Sequence, residues 1–76
     1  MNYEDVWQLL DEITASVNAL GYYIWDLHFS RSSFAFHMEL NEKVEEEKLS
    51  VLLSHLPLPA DYEGDGTHGS VFTLYA

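Results

Sequence analysis

The spacing of the apolar residues changes once, at Gly21, and that change dictates what kind of fold this chain can adopt. Before it, Tyr3, Val6, Trp7, Leu10, Ile13, Val17 and Leu20 recur three and four residues apart, with Glu4, Asp5, Gln8, Asp11, Glu12 and Asn18 between them. Such spacing predicts an amphipathic helix. Asn2 suits the N-cap, Glu4 and Asp5 suit the positive end of the helix dipole, and Gly21 can take the left-handed position that stops the helix. After Gly21 the period is two, which predicts a strand with Tyr23, Trp25, Leu27 and Phe29 on one face and Tyr22, Ile24, Asp26 and His28 on the other.

The alternation resumes with Phe34, Phe36, Met38 and Leu40, so the two runs read as a β-hairpin. Ser30-Arg31-Ser32-Ser33 contains neither Gly nor Asn, which favours a four-residue loop over a two-residue mirror-type turn. Setting Phe29 opposite Phe34, Leu27 opposite Phe36 and Trp25 opposite Met38 puts the large apolar side chains on one face. Trp7, Trp25, Phe29, Phe34 and Phe36 then belong to the core. Tyr22 and Ile24 face outward, toward a partner, the second helix or a second copy in a homodimer.

Asn41 offers another N-cap, with Glu42 and Glu45 in the first turn and an apolar stripe of Val44, Leu49, Leu52, Leu53 and Leu56 running to Pro57. Residues 57–69 read as a turn-rich connector and Val71 to Tyr75 as a final strand. The predicted order is α-β-β-α-β: an α+β fold with a small three-stranded, mainly antiparallel sheet and helices packed on one face. The last strand would be antiparallel beside the first hairpin strand and parallel beside the second, and the connector permits both.

A chain of 76 residues is expected to form one domain, residues 1–76, and its 47% hydrophobic and 14% aromatic content sets it apart from acidic disordered tails. Cysteine is absent, so no disulfide framework or thiolate metal site can form. No apolar run approaches the ~20 residues that span a bilayer, and the first residues are acidic where a secretory signal would be basic. A cytoplasmic location is the expectation.

Thirteen carboxylates face three basic side chains, Arg31, Lys43 and Lys48, for a formal net charge of −10. A magnitude of about 2 to 8 is ample for solubility in a small domain. The excess disfavours nucleic acid and anionic membranes as direct partners and favours a basic protein surface. The densest cluster is Glu39, Glu42, Glu45, Glu46 and Glu47; a second lies in the connector at Asp61, Tyr62, Glu63 and Asp65. These nine positions are the candidate partner-binding residues, with Tyr62 as an aromatic anchor inside a charged rim.

Motifs for chemistry are weak by comparison. Asp61, Glu63 and Asp65 followed by Gly66 match the start of an EF-hand loop, but its position 12 falls on Phe72 where a bidentate Glu is required. A solvated acidic turn is the simpler reading, and a cation-binding domain is the alternative. His28, His37, His55 and His68 lack the close local spacing of a zinc motif, although the hairpin would gather Asp26, His28 and His37 on one polar face. No nucleophile elbow or phosphate loop is present, so no catalytic residue, cofactor or metal is assigned.

In size, acidity and lack of catalytic motifs the chain resembles the nucleic-acid-mimicking inhibitors of phages and mobile elements, among them anti-CRISPR and anti-restriction proteins. The resemblance is one of composition and scale, and transfers no residue role. It implies a non-enzymatic inhibitor whose carboxylates occupy a basic, nucleic-acid-binding groove of an effector. An antitoxin or immunity protein covering a basic toxin site uses the same physics.

Overall fold

The computed structural model describes residues 2–76 and contains two helices and a four-stranded antiparallel sheet. Helix α1 (Tyr3–Ala19) is followed by strands β1 (Ile24–Ser30) and β2 (Ala35–Leu40), helix α2 (Glu46–His55), and strands β3 (Ala60–Asp65) and β4 (Ser70–Tyr75). The sheet order is β1-β2-β4-β3.

Helix α1 starts and stops where local chemistry predicts. The Asn2 side chain accepts the Asp5 N–H at 2.9 Å, and the Asp5 carboxylate accepts the Asn2 N–H at 3.4 Å, a reciprocal capping box. At the other end Gly21 takes φ 88°, a left-handed conformation that costs glycine little.

The expected three-stranded sheet is corrected to four strands, because the acidic stretch read as a connector contains β3 and forms a hairpin with β4. This extra reversal also settles where the last strand goes. β4 lies beside β2 and antiparallel to it, with Phe36 opposite Leu74 and Met38 opposite Phe72. Without β3, that neighbour would have required a parallel pairing.

The hairpin register differs from the expected one by two residues. Phe29 pairs with Phe36 and Leu27 with Met38, and the four-residue loop is Arg31 to Phe34, one position later than read. Phe34 is not a strand residue; it ends the loop at φ 53° and sets its ring edge-on to Phe29 with centroids 5.8 Å apart. A bulge between Ile24 and Asp26 absorbs Trp25 and reverses the side-chain phase upstream of it. Tyr22 is therefore buried, at 9% exposure, and Ile24 packs against the core, whereas Trp25 is 55% exposed. Trp7, also expected inside, is 65% exposed.

The second helix begins at Glu46 with Glu45 as its N-cap residue, four positions after the Asn41 cap suggested by the sequence. Residues 41–45 are held instead against the start of β4. The Ser70 N–H donates to the Glu42 carbonyl at 3.1 Å, and the Val44 N–H donates to the buried Ser70 hydroxyl at 2.8 Å. These tertiary bonds engage the Val44 N–H donor and the Glu42 carbonyl acceptor that an earlier helical turn would have used. Gly69 permits the close approach, since a Cβ there would run into the carbonyls of Leu40 and Glu42.

One core results. Ile13 and Val17 of α1, Leu52 of α2, and Phe36, Met38, Leu40, Phe72 and Leu74 of the central strands are all buried within it. No described helix is long and apolar enough to cross a membrane.

Candidate protein-interaction surface

The nine acidic-surface positions separate into two groups once their partners are visible. Glu39, Asp61, Tyr62 and Asp65 are engaged within the fold. From β2, the Glu39 carboxylate accepts the backbone N–H groups of His68 at 2.6 Å and Gly69 at 3.2 Å, fastening the β3–β4 turn. His68 Nδ1 lies 3.5 Å from the same oxygen, and Trp25 stacks on the His68 ring at 3.7 Å with planes 18° apart. The bulged tryptophan thus covers a turn that a carboxylate holds from beneath.

Asp65 accepts the Tyr62 hydroxyl at 2.8 Å and the Ser70 hydroxyl at 3.2 Å, and pairs with Lys43 at 3.3 Å. The hydrogen bond from Tyr62 is the main cause that holds the Asp65 carboxyl below its ordinary value, against a smaller opposing effect of burial. Reciprocally, the Asp65 carboxylate raises the Tyr62 hydroxyl pKa. Tyr62 packs its ring on Phe72 with centroids 5.5 Å apart, so half of this residue is core. Asp61 accepts the Tyr75 hydroxyl at 2.9 Å, which raises the Tyr75 pKa in the same way.

Glu42, Glu45, Glu46, Glu47 and Glu63 are exposed, and none of their carboxylates has an ion-pair partner among the described residues. The nearest cations in sequence do not neutralise them: Lys43 is drawn to Asp65, and Lys48 forms no ion pair among the described residues. At the start of α2 the Glu47 carboxyl is held below its ordinary value, first by its own backbone N–H and then by hydrogen bonding with Glu45. Free N–H groups at a helix N-terminus favour the charged form of such a group. The segment from Glu42 to Glu47 therefore presents four exposed carboxyl groups without an ion-pair partner among the described residues.

The hairpin brings together part of the polar constellation expected of it. His28 lies opposite His37, with ring centroids 5.3 Å apart, and Asp26 bonds His28 Nδ1 at 2.8 Å from the same strand. Asp26 is opposite Glu39 rather than His37, a consequence of the shifted register. His37 Nε2 lies 3.2 Å from the Ser33 hydroxyl. Among the described residues no three His, Asp or Glu side chains are grouped to hold a metal ion, and Asp61, Glu63 and Asp65 are spread along a strand instead of curling into a loop.

Periodicity missed the exposed aromatic surface of α1. Tyr3 and Trp7 stand at the margin of the apolar stripe and border an open groove of about 560 Å³ between α1 and β1. The available signal was their flanking charge: Glu4 and Asp11, three residues before and four after Trp7, are its neighbours on the helix surface. No family model matches this chain, and no curated protein or solved structure is significantly similar to it.

Proposed function

We propose that this protein is a non-enzymatic binding module that occupies a basic surface of a partner protein in the cytoplasm, taking the place of nucleic acid in the partner's groove. The observation that carries this reading is the run of unneutralised carboxylates from Glu42 to Glu47, held in place by bonds from Val44 and Glu42 to the buried Ser70. A row of ionised carboxylates on a fixed backbone can replace phosphates against arginine and lysine side chains, because both present acceptor oxygens to the same donors. The net charge of −10 extends that attraction beyond contact distance and speeds encounter with a positive partner. In this arrangement both helices cover one face of the sheet, and the N-terminus of α2 presents the charge.

The test begins with a partner captured from the native host and then purified. Glu45→Gln combined with Glu46→Gln should slow association and flatten its salt dependence without changing the melting temperature. The complex should also exclude the partner's nucleic-acid substrate. A stable ternary complex with the substrate path occupied would rule out mimicry. Unchanged association at low salt would remove the start of α2 from the interface.

A further inference from the structure

We infer that the groove between α1 and the free edge of β1 is a docking site for an extended, basic, partly apolar segment of a partner protein, which would add a strand to the sheet. This inference rests on the reading that the partner is basic and identifies a second surface by which that partner is held.

The groove opens at the strand's edge, not under its face. Leu27 and Phe29 point to the core side of β1 and His28 to the other, yet all three line the groove. A groove lined by residues of both faces reaches the backbone of the strand that lies between them. β1 is terminal in the sheet, so the backbone groups turned away from β2 are open to pairing. From Asp26 to Ser30 its register is regular, with no bulge to disturb an added strand. The opposite edge is blunted: β3 carries Asp61, Glu63 and Asp65, and its register shifts between Tyr62 and Gly64.

The helix side of the groove supplies apolar contact and charge. Tyr3 and Trp7 are 78% and 65% exposed, while Val6 and Leu10 extend the core into the groove floor. An added strand would turn alternate side chains toward these residues, which is how strand addition gains specificity. Glu4 and Asp11, both exposed, lie outside that lining and neighbour Trp7 on the helix surface. Arg31, at the end of the groove, is the only fully charged side chain in its lining. A segment alternating lysine or arginine with aliphatic residues fits that distribution. A second copy of this chain fits it poorly, since two molecules of charge −10 would bring their acidic helix surfaces together.

The probe is a blocked heptapeptide, Lys-Val-Lys-Val-Lys-Val-Lys, titrated at low salt into the isotopically labelled protein. Amide shifts should concentrate on residues 26–30 and on the first half of α1, and Trp7 emission should change saturably. N-methylating alternate peptide bonds should weaken binding at least tenfold, as should Trp7→Ser, an exposed change that leaves the core intact. Ser54→Ala, on the exposed surface of α2, should leave this binding unchanged. Shifts confined to α2 would overturn the groove while sparing the charge-based reading of the partner. Equal binding of a Glu-Val peptide would overturn both. Dimerisation through β1, seen by sedimentation and blocked by Trp7→Ser, would replace the foreign segment with a second copy and refute the inference.

Discussion

Replacing Ser70 with alanine removes one oxygen from the most connected buried polar position in the protein. The Ser70 side chain is fully buried; its hydroxyl accepts the Val44 N–H at 2.8 Å and donates to Asp65 at 3.2 Å. In Ser70→Ala the Ser70 backbone bond to the Glu42 carbonyl survives, but the Val44 N–H loses its acceptor at a residue only 2% exposed. A buried donor left without a partner costs about 1 to 3 kcal/mol. Loss of the bond to Asp65 adds little, because Asp65 keeps Tyr62 and Lys43 and is partly exposed. At about 4 to 8 °C per kcal/mol for a domain of this size, the melting temperature should fall by about 4 to 24 °C. Urea unfolding followed by far-ultraviolet circular dichroism measures the change, and an unaltered m-value would show that the native and unfolded states are otherwise the same. Amide exchange at Val44 should accelerate with it. Ser54→Ala is the control, since that hydroxyl bonds the Val51 carbonyl on an exposed helix surface and its removal should cost under about 0.5 kcal/mol. A Ser70→Ala loss as small as the control's would refute the assignment of Ser70 as the acceptor that orders residues 41–45.

Phe36→Ala, at a wholly buried centre of the core, should cost about 3 to 5 kcal/mol in the same unfolding assay, whereas Trp25→Ala, which loses mainly a stack on His68, should cost under about 1.5 kcal/mol; a reversed order would mean that the β1 bulge is misplaced. Tyr62 and Tyr75 have hydroxyl pKa values raised by Asp65 and Asp61, so the stability they contribute is present below the unfolded tyrosine value and is lost as pH rises through the folded values. Unfolding across the alkaline range should show this loss in the native chain and a flatter profile in Tyr62→Phe, Tyr75→Phe. The Asp65 pKa is lowered, so its contribution is present above the unfolded aspartate value and is lost as pH falls through the folded value. Asp65→Asn should remove that acid-side dependence.

All element types but β3 were legible in the sequence because they rest on short-range chemistry. Helix α1 needed only its three-and-four spacing, the Asn2–Asp5 capping pair and Gly21, all decided within a few residues of one another. The hairpin and the last strand followed from alternation. The acidity of residues 42–47 is a property of composition. Tertiary structure decided what depends on partners far along the chain. Alternation paired Phe29 with Phe34, whereas the folded hairpin pairs Phe29 with Phe36, with a bulge at Trp25 and a left-handed Phe34 in its loop. Asn41 could have begun a helix; Ser70, 26 residues beyond Val44, captured that donor and delayed α2 to Glu46. β3 was hidden because its alternation is carried by Ala60, Tyr62 and Gly64, too small an apolar signal until Tyr62 packs on Phe72. The same long-range pairing divided the carboxylates, drawing Glu39, Asp61 and Asp65 into bonds that hold the fold and leaving Glu42 to Glu47 in solvent. Charge can be counted from residue types alone, but whether a carboxylate is free depends on which donor the folded chain brings within about 3 Å of it.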